Sequence, residues 1–224
     1  MRNRLTSLQT RLDGLLARRG VLFAAKFALL AAGLWTAGRL AFALLVDPTL
    51  LGANPAETIV RETGDATIRF ILIGLAVTPL RRLTGVNALL KFRRMLGLFA
   101  YFYCSLHLLS YAGFDRFFIW AEIMKDIVKR PFVTVGFAAF VLMTPLAVTS
   151  TRGWVIRLGG DVWARLHRIV YLVALLGILH YWWLARRDFV TPAVYTGILV
   201  VLLAARSIPK RPSVFGRVDR RAAS

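Results

Sequence analysis

The chain has 224 residues, 58% of them hydrophobic, and a mean hydropathy of +0.62; its apolar residues come in long runs, which excludes an ordinary soluble domain. A formal net charge of +19 would suggest nucleic acid in a soluble protein, but here the cations sit mostly at the ends of apolar runs, the pattern that sets membrane topology. The lone cysteine, Cys104, excludes an internal disulfide, and no CxxCH is present for covalent haem attachment.

In chain order, residues 1–20 place Leu5, Leu8, Leu12 and Leu15 at helical spacing with arginines between them. The pattern predicts an amphipathic helix on the cytoplasmic surface rather than a cleavable signal. The first span is Val21 to Val46, with Arg39 either snorkelling outward or partnering a haem propionate. Asp47 to Asp65 reads as a polar loop. The second span, Ala66 to Leu80, is about 22 Å long at helical rise, short for a bilayer. The third runs from Met95 to Ala112. Residues 115–129 place Phe117, Trp120, Met124 and Ile127 on one face, a helix lying in the interface. Pro131 opens the fourth span, which ends near Val148. Asp161 to Asp188 reads as one spanning helix with Asp161 as its N-cap. The sixth span is Phe189 to Ala205, and residues 206–224 form a basic cytoplasmic tail. The expected fold is therefore all-α: a six-helix transmembrane bundle over residues 21–205. The second and fourth spans both end in Thr-Pro-Leu, at Thr78–Leu80 and Thr144–Leu146, which hints at an internal repeat.

Topology follows from Lys and Arg. With the N-terminus inside, the inner segments carry five, five, four and six, twenty in all, against seven outside. Both termini are expected in the cytoplasm.

The three histidines all fall within or at the ends of apolar spans, where such residues are costly and functional by default. His107 lies thirteen residues beyond Arg94, at the inner end of the third span, and His180 thirteen beyond His167. Each is then about 20 Å from the inner edge. Two parallel helices bring two imidazoles to one depth in the outer half of the bilayer. That suits one b-type haem ligated from both faces, between helices 3 and 5. His167 is about 140° out of phase with His180 on an ideal helix. Its readings are a second haem, or an interfacial bond to a propionate or a quinone oxygen.

VTPLRRLTG from Val77, RRMLGLFAYFYCSLH from Arg93, KRPFVTVGFAAFVLMTPLAVTS from Lys129 and WARLHRIVYLVALLGILHYWW from Trp163 resemble the MsrQ (YedZ) family, in the wider ferric reductase and NADPH oxidase transmembrane group. The resemblance implies haem b, FMN, the bacterial inner membrane and electron supply to a periplasmic molybdenum-containing methionine sulfoxide reductase. It carries the haem roles to His107, His167 and His180. The two-haem oxidases have a second histidine in the third span, which this chain lacks. FMN has no motif of its own here; Arg81, Arg82 and Arg94 are the basic residues that can meet its phosphate. No GxGxxG follows a strand, so electrons are expected from a quinol or a separate flavin reductase. Two other readings stay open: a stand-alone ferric reductase, and a transporter whose histidines move protons.

Overall fold

The computed structural model describes Gly14, residues 18–185 and residues 188–207. The expected amphipathic segment 1–20 and basic tail 206–224 lie almost wholly outside the described residues, as do Arg186 and Arg187. Among the described residues the regular elements are all helical: α1 (Arg19–Leu45), α2 (Pro55–Thr84), α3 (Arg93–Ser110), α4 (Trp120–Lys129), α5 (Pro131–Val148), α6 (Arg152–Leu158), α7 (Gly160–Leu166), α8 (Ile169–Leu184) and α9 (Val190–Ser207). Among the described residues, five segments are long and apolar enough to cross a membrane: Arg19–Leu45, Pro55–Thr84, Asn87–Asp115, Pro131–Val148 and Gly160–Leu184. Val190–Arg206 is apolar but shorter. The protein is a multi-pass helical membrane protein.

Several expectations need correction. The second span is not short: α2 has 30 residues and begins at Pro55, so residues 55–65 are helix and not loop. The cause is local. The Asn54 side chain accepts from the Glu57 backbone N–H at 3.3 Å, and Pro55 sits at the first helical position, where a missing N–H costs nothing. Arg39 has a partner that the sequence did not suggest, an ion pair with Glu62 on α2. Asp161 does not cap a helix: the N-cap is Gly159, with a φ of 75°, and Asp161 lies in the first turn of α7. The expected single helix from Asp161 is interrupted at His167–Arg168, between α7 and α8. There Arg168 N–H bonds Arg165 O and Tyr171 N–H bonds Arg168 O, the tighter three-residue pattern.

α4 keeps Trp120 and Met124 of the expected apolar face outward and docks by a neighbouring face. Ile123 and Asp126 are buried and Ile127 partly so, whereas Trp120 and Met124 are exposed. Phe117 precedes the helix altogether, in a reversal where Phe117 and Phe118 take φ of 48° and 55°. Bulky side chains rarely adopt that conformation, and here it turns the chain out of the π turn Tyr111–Asp115 at the end of α3.

The core is an arrangement of four helices. α3 packs against α2 and α5, and α8 packs against the same two, so α3 and α8 lie diagonally. α9 covers α2 and α8, and α1 lies against α2. The central layer joins Ile71, Leu75, Ala100, Met143, Val173 and Leu199 from five helices. In lipid such contacts are held by packing rather than by escape from water. α1 is fastened to α3 as well: Tyr103, fully buried, donates its hydroxyl to Gly33 O at 2.5 Å and accepts from Ala37 N–H at 3.1 Å. The phenol thus sits on both ends of one turn of the α1 ladder. Gly33 also lets the Phe99 ring lie against α1, where a Cβ would collide with it.

Candidate functional site

Between the diagonal helices lies a cavity of about 1150 Å³, lined by His107 and Cys104 of α3, His180 and Tyr181 of α8, Gly64 of α2 and Gly136 of α5. Its volume exceeds the roughly 300–1,000 Å³ of small-molecule pockets. The His107 and His180 rings face each other across it, with centroids 6.0 Å apart and planes at 83°.

Each imidazole is fixed by the neighbouring helix in the same way. His107 Nδ1–H donates to Val60 O of α2 at 2.9 Å, and His180 Nδ1–H donates to Phe132 O of α5 at 2.7 Å. A carbonyl can only accept, so the proton is on Nδ1 and each Nε2 keeps its lone pair. Such an outer hydrogen bond orients a ligating histidine and raises its basicity. In both cases a glycine stands four residues after the accepting carbonyl. A Cβ on Gly64 would meet His107 Nδ1 at 3.1 Å, and one on Gly136 would meet His180 Cε1 at 2.8 Å. The glycines open the helix surface so that a ring can reach a carbonyl already used in the helical ladder.

The donor set suits a metal held from two sides. With metal–imidazole bonds of about 2 Å, two rings flanking one iron need centres roughly 6 Å apart, which is the spacing seen. Two neutral imidazoles on facing helices of an apolar bundle are residues that would hold the iron of a b-type haem.

His167 is not part of this constellation and does not line the cavity. Thr149 Oγ1–H donates to Pro145 O at 2.6 Å, so its oxygen accepts from His167 Nε2–H at 3.2 Å. Trp163 stacks on the ring at 3.9 Å and donates its indole N–H to Thr149 O at 2.9 Å. His167 therefore holds the opposite tautomer to the facing pair.

Residues that sequence reasoning did not place at the site surround one end of the cavity. Tyr181 donates to Asp65 at 2.7 Å; Arg69 reaches Asp65 at 3.4 Å and donates to Tyr195 at 2.9 Å. Asp126, outside the spans, accepts from Tyr111 at 2.7 Å and pairs with Arg116 at 2.5 Å and Arg130 at 3.1 Å. Burial alone would raise its carboxyl, but Tyr111 and the two guanidiniums outweigh that and hold it below the usual carboxylate range. A helical reading starting at Asn54 would have found Asp65; Gly64 and Gly136 carry no signal apart from the frequency of glycine in membrane helices.

Comparison with known proteins agrees with this geometry. The family model of the ferric reductase like transmembrane component matches residues 32–178. A protein of Herminiimonas arsenicoxydans named protein-methionine-sulfoxide reductase heme-binding subunit MsrQ is 55% identical over 81% of this chain and 83% of its own length. Proteins of the same name from Caulobacter vibrioides and Rhodospirillum rubrum are 50% and 54% identical, over 70% and 71% of this chain and 74% and 76% of their own. With a cofactor-sized cavity between two imidazoles, a matching family model and relatives of this identity, the chain belongs to the MsrQ family within the ferric reductase-like transmembrane group.

Proposed function

We propose that the chain is the haem-carrying membrane electron-transfer subunit of a methionine sulfoxide reductase system, with His107 and His180 as axial ligands of one b-type haem. The observation that carries this reading is the facing pair, each imidazole proton-donating at Nδ1 to a helix carbonyl and free at Nε2. Bound there, haem supplies a one-electron iron couple. The chain's own part is to hold the ligands, exclude water and set the local charge. Electrons are taken from a quinol or a separate flavin reductase on the cytoplasmic side and delivered to a periplasmic molybdenum-containing catalytic subunit for repair of oxidised proteins, in the bacterial inner membrane. Support for the acceptor is the name shared by the relatives. FMN is proposed on the family resemblance alone; of the basic residues considered for its phosphate, Arg81 donates to Asn87 and Arg82 to the Arg206 carbonyl. His167 is an interfacial residue in this reading, since its Nε2 is engaged by Thr149.

The test is a purified-protein spectrum with variants. Reduction should give sharp low-spin bands of a haem that acid acetone extracts. His107→Ala and His180→Ala should each remove them, and His167→Ala should leave most. Loss of all haem in His167→Ala alone would overturn the pairing. In vesicles with quinol and the catalytic subunit, methionine sulfoxide should drive reoxidation; indifference to both would favour a stand-alone ferric reductase.

A further inference from the structure

We propose that Arg116 and Arg130, joined through Asp126, are the carboxylate-recognising end of the cavity and fix the orientation of a dicarboxylate macrocycle by taking its two acid arms on that side. The proposal rests on the haem reading and adds to it where the propionates go.

Asp126 is only 4% exposed, yet two guanidiniums converge on it. Arg116, Arg130 and Tyr111 all line the cavity that His107 and His180 share. Arg116 Nε is buried without a hydrogen-bond partner. A buried guanidinium N–H is a donor that structures keep paired, and the residue that carries this one lines the cavity.

The clamp is also at the right height. Tyr111 is one helical turn beyond His107, about 6 Å outward. Arg130 is two residues before Phe132, whose carbonyl fixes His180. The clamp therefore sits one step outward from both imidazoles, the reach of a short acid side arm on a macrocycle held between them.

The opposite rim has the other character. Asp65, Glu57 and Asp188 line it. Asp65 is held by Tyr181 and Arg69, Glu57 pairs with Arg61 at 3.7 Å, and Asp188 caps the start of α9 through Val190 and Thr191. Arg61 also lines that rim but is paired with Glu57, so carboxylates outnumber guanidiniums there and repel acid arms. Asp115 also lines the cavity and neighbours Arg116, so the clamp acts through directed N–H groups more than through net charge. Planar guanidinium forks suit carboxylate recognition for that reason.

The experiment compares haem b with its iron dimethyl ester, in which both acid arms are neutral, for binding to the haem-free full chain in detergent. Both porphyrins keep the iron, so the low-spin spectrum reports ligation by the histidines, and the ratio of the two affinities reports the clamp. The wild type should prefer the free acid by about tenfold, the scale of one charge-assisted hydrogen bond. Arg116→Gln and Arg130→Gln should each move the ratio toward one with ester affinity unchanged, and Arg116→Lys should restore part of it. Because removing Arg116 leaves Asp126 under-paired, the double variant Arg116→Gln/Asp126→Asn serves as the charge-balanced version and should also lose the preference. A full preference in Arg116→Gln, or equal loss of both porphyrins in the double variant, would overturn the proposal. If neither porphyrin gives low-spin iron in the wild type, it is the haem reading that fails.

Discussion

At the scale of single residues, the site rests on a repeated device: a carbonyl, a glycine four residues on, and a histidine from a neighbouring helix. His107 and His180 were legible in the sequence because histidine is rare in apolar spans. The glycines were not, because their function is an absence of side chain that only a neighbour reveals. The geometry ranks their importance. A Cβ at position 136 would stand 2.8 Å and 2.9 Å from two His180 ring atoms, and one at position 64 would stand 3.1 Å from two of His107. The facing atoms are aromatic ring atoms anchored by a hydrogen bond, so they can yield only by leaving the carbonyl. Losing such an outer partner of a ligand costs about 10–100-fold in metal affinity. Gly136→Ala should therefore weaken haem binding towards the upper end of that range and Gly64→Ala towards the lower, read by titration of the haem-free protein. Equal affinity in Gly136→Ala and wild type would show that the ring does not depend on Phe132 O.

At the scale of elements, the long apolar runs announced the spans, and the charges between them blurred their ends. Glu57, Arg61, Glu62 and Asp65 made residues 47–65 look like a loop. In the structure they lie on a helix, where Glu57 and Arg61 pair along one side and Glu62 meets Arg39 of α1. Polar composition was read as a loop when it marks the exposed first turns of a helix. The break at His167 was hidden for the opposite reason, since its flanks are good helix formers and the cause is tertiary: Thr149 and Trp163 hold the ring where the ladder tightens. α4 shows an element docked by charge. Its Asp126 titrates below the ordinary carboxylate range because Tyr111 and two guanidiniums overcome the effect of burial. With the folded value below the unfolded value of about 3.9, its contribution is fully present above the unfolded value and disappears as pH falls through the folded one. Tryptophan fluorescence, to which exposed Trp120 on α4 contributes, should stay flat from neutral pH to about pH 4 and change below it. In Asp126→Asn the acid step should vanish. Persistence of the same step in that variant would mean that another group controls α4.

At the scale of the whole molecule, the two halves of the bundle repeat each other more deeply than Thr-Pro-Leu suggested. Val60 O and His107 are 47 residues apart, Phe132 O and His180 are 48, and each pair joins one spanning helix to the next. The diagonal placement of α3 and α8 follows from this, since each ligand helix leans on its own partner and leaves the middle open. The arrangement also fixes both histidines at one level, so the side of the membrane they approach depends on the orientation of the chain alone. Arg82 bonds the Arg206 carbonyl, so the C-terminal ends of α2 and α9 share one face. Asp65, Tyr181 and Tyr195 gather nearer the other. Twenty Lys and Arg fall in the segments assigned to the first face and seven in those assigned to the second, and basic loops stay in the cytoplasm. A reporter fused after Ser224 should therefore register cytoplasm, and one inserted near Ala53, between α1 and α2, should register periplasm. That result puts the histidine pair, Arg116 and Arg130 in the half of the membrane that faces a periplasmic acceptor. The reverse result would turn the same cavity to the cytoplasm and remove the physical basis for delivering electrons outward.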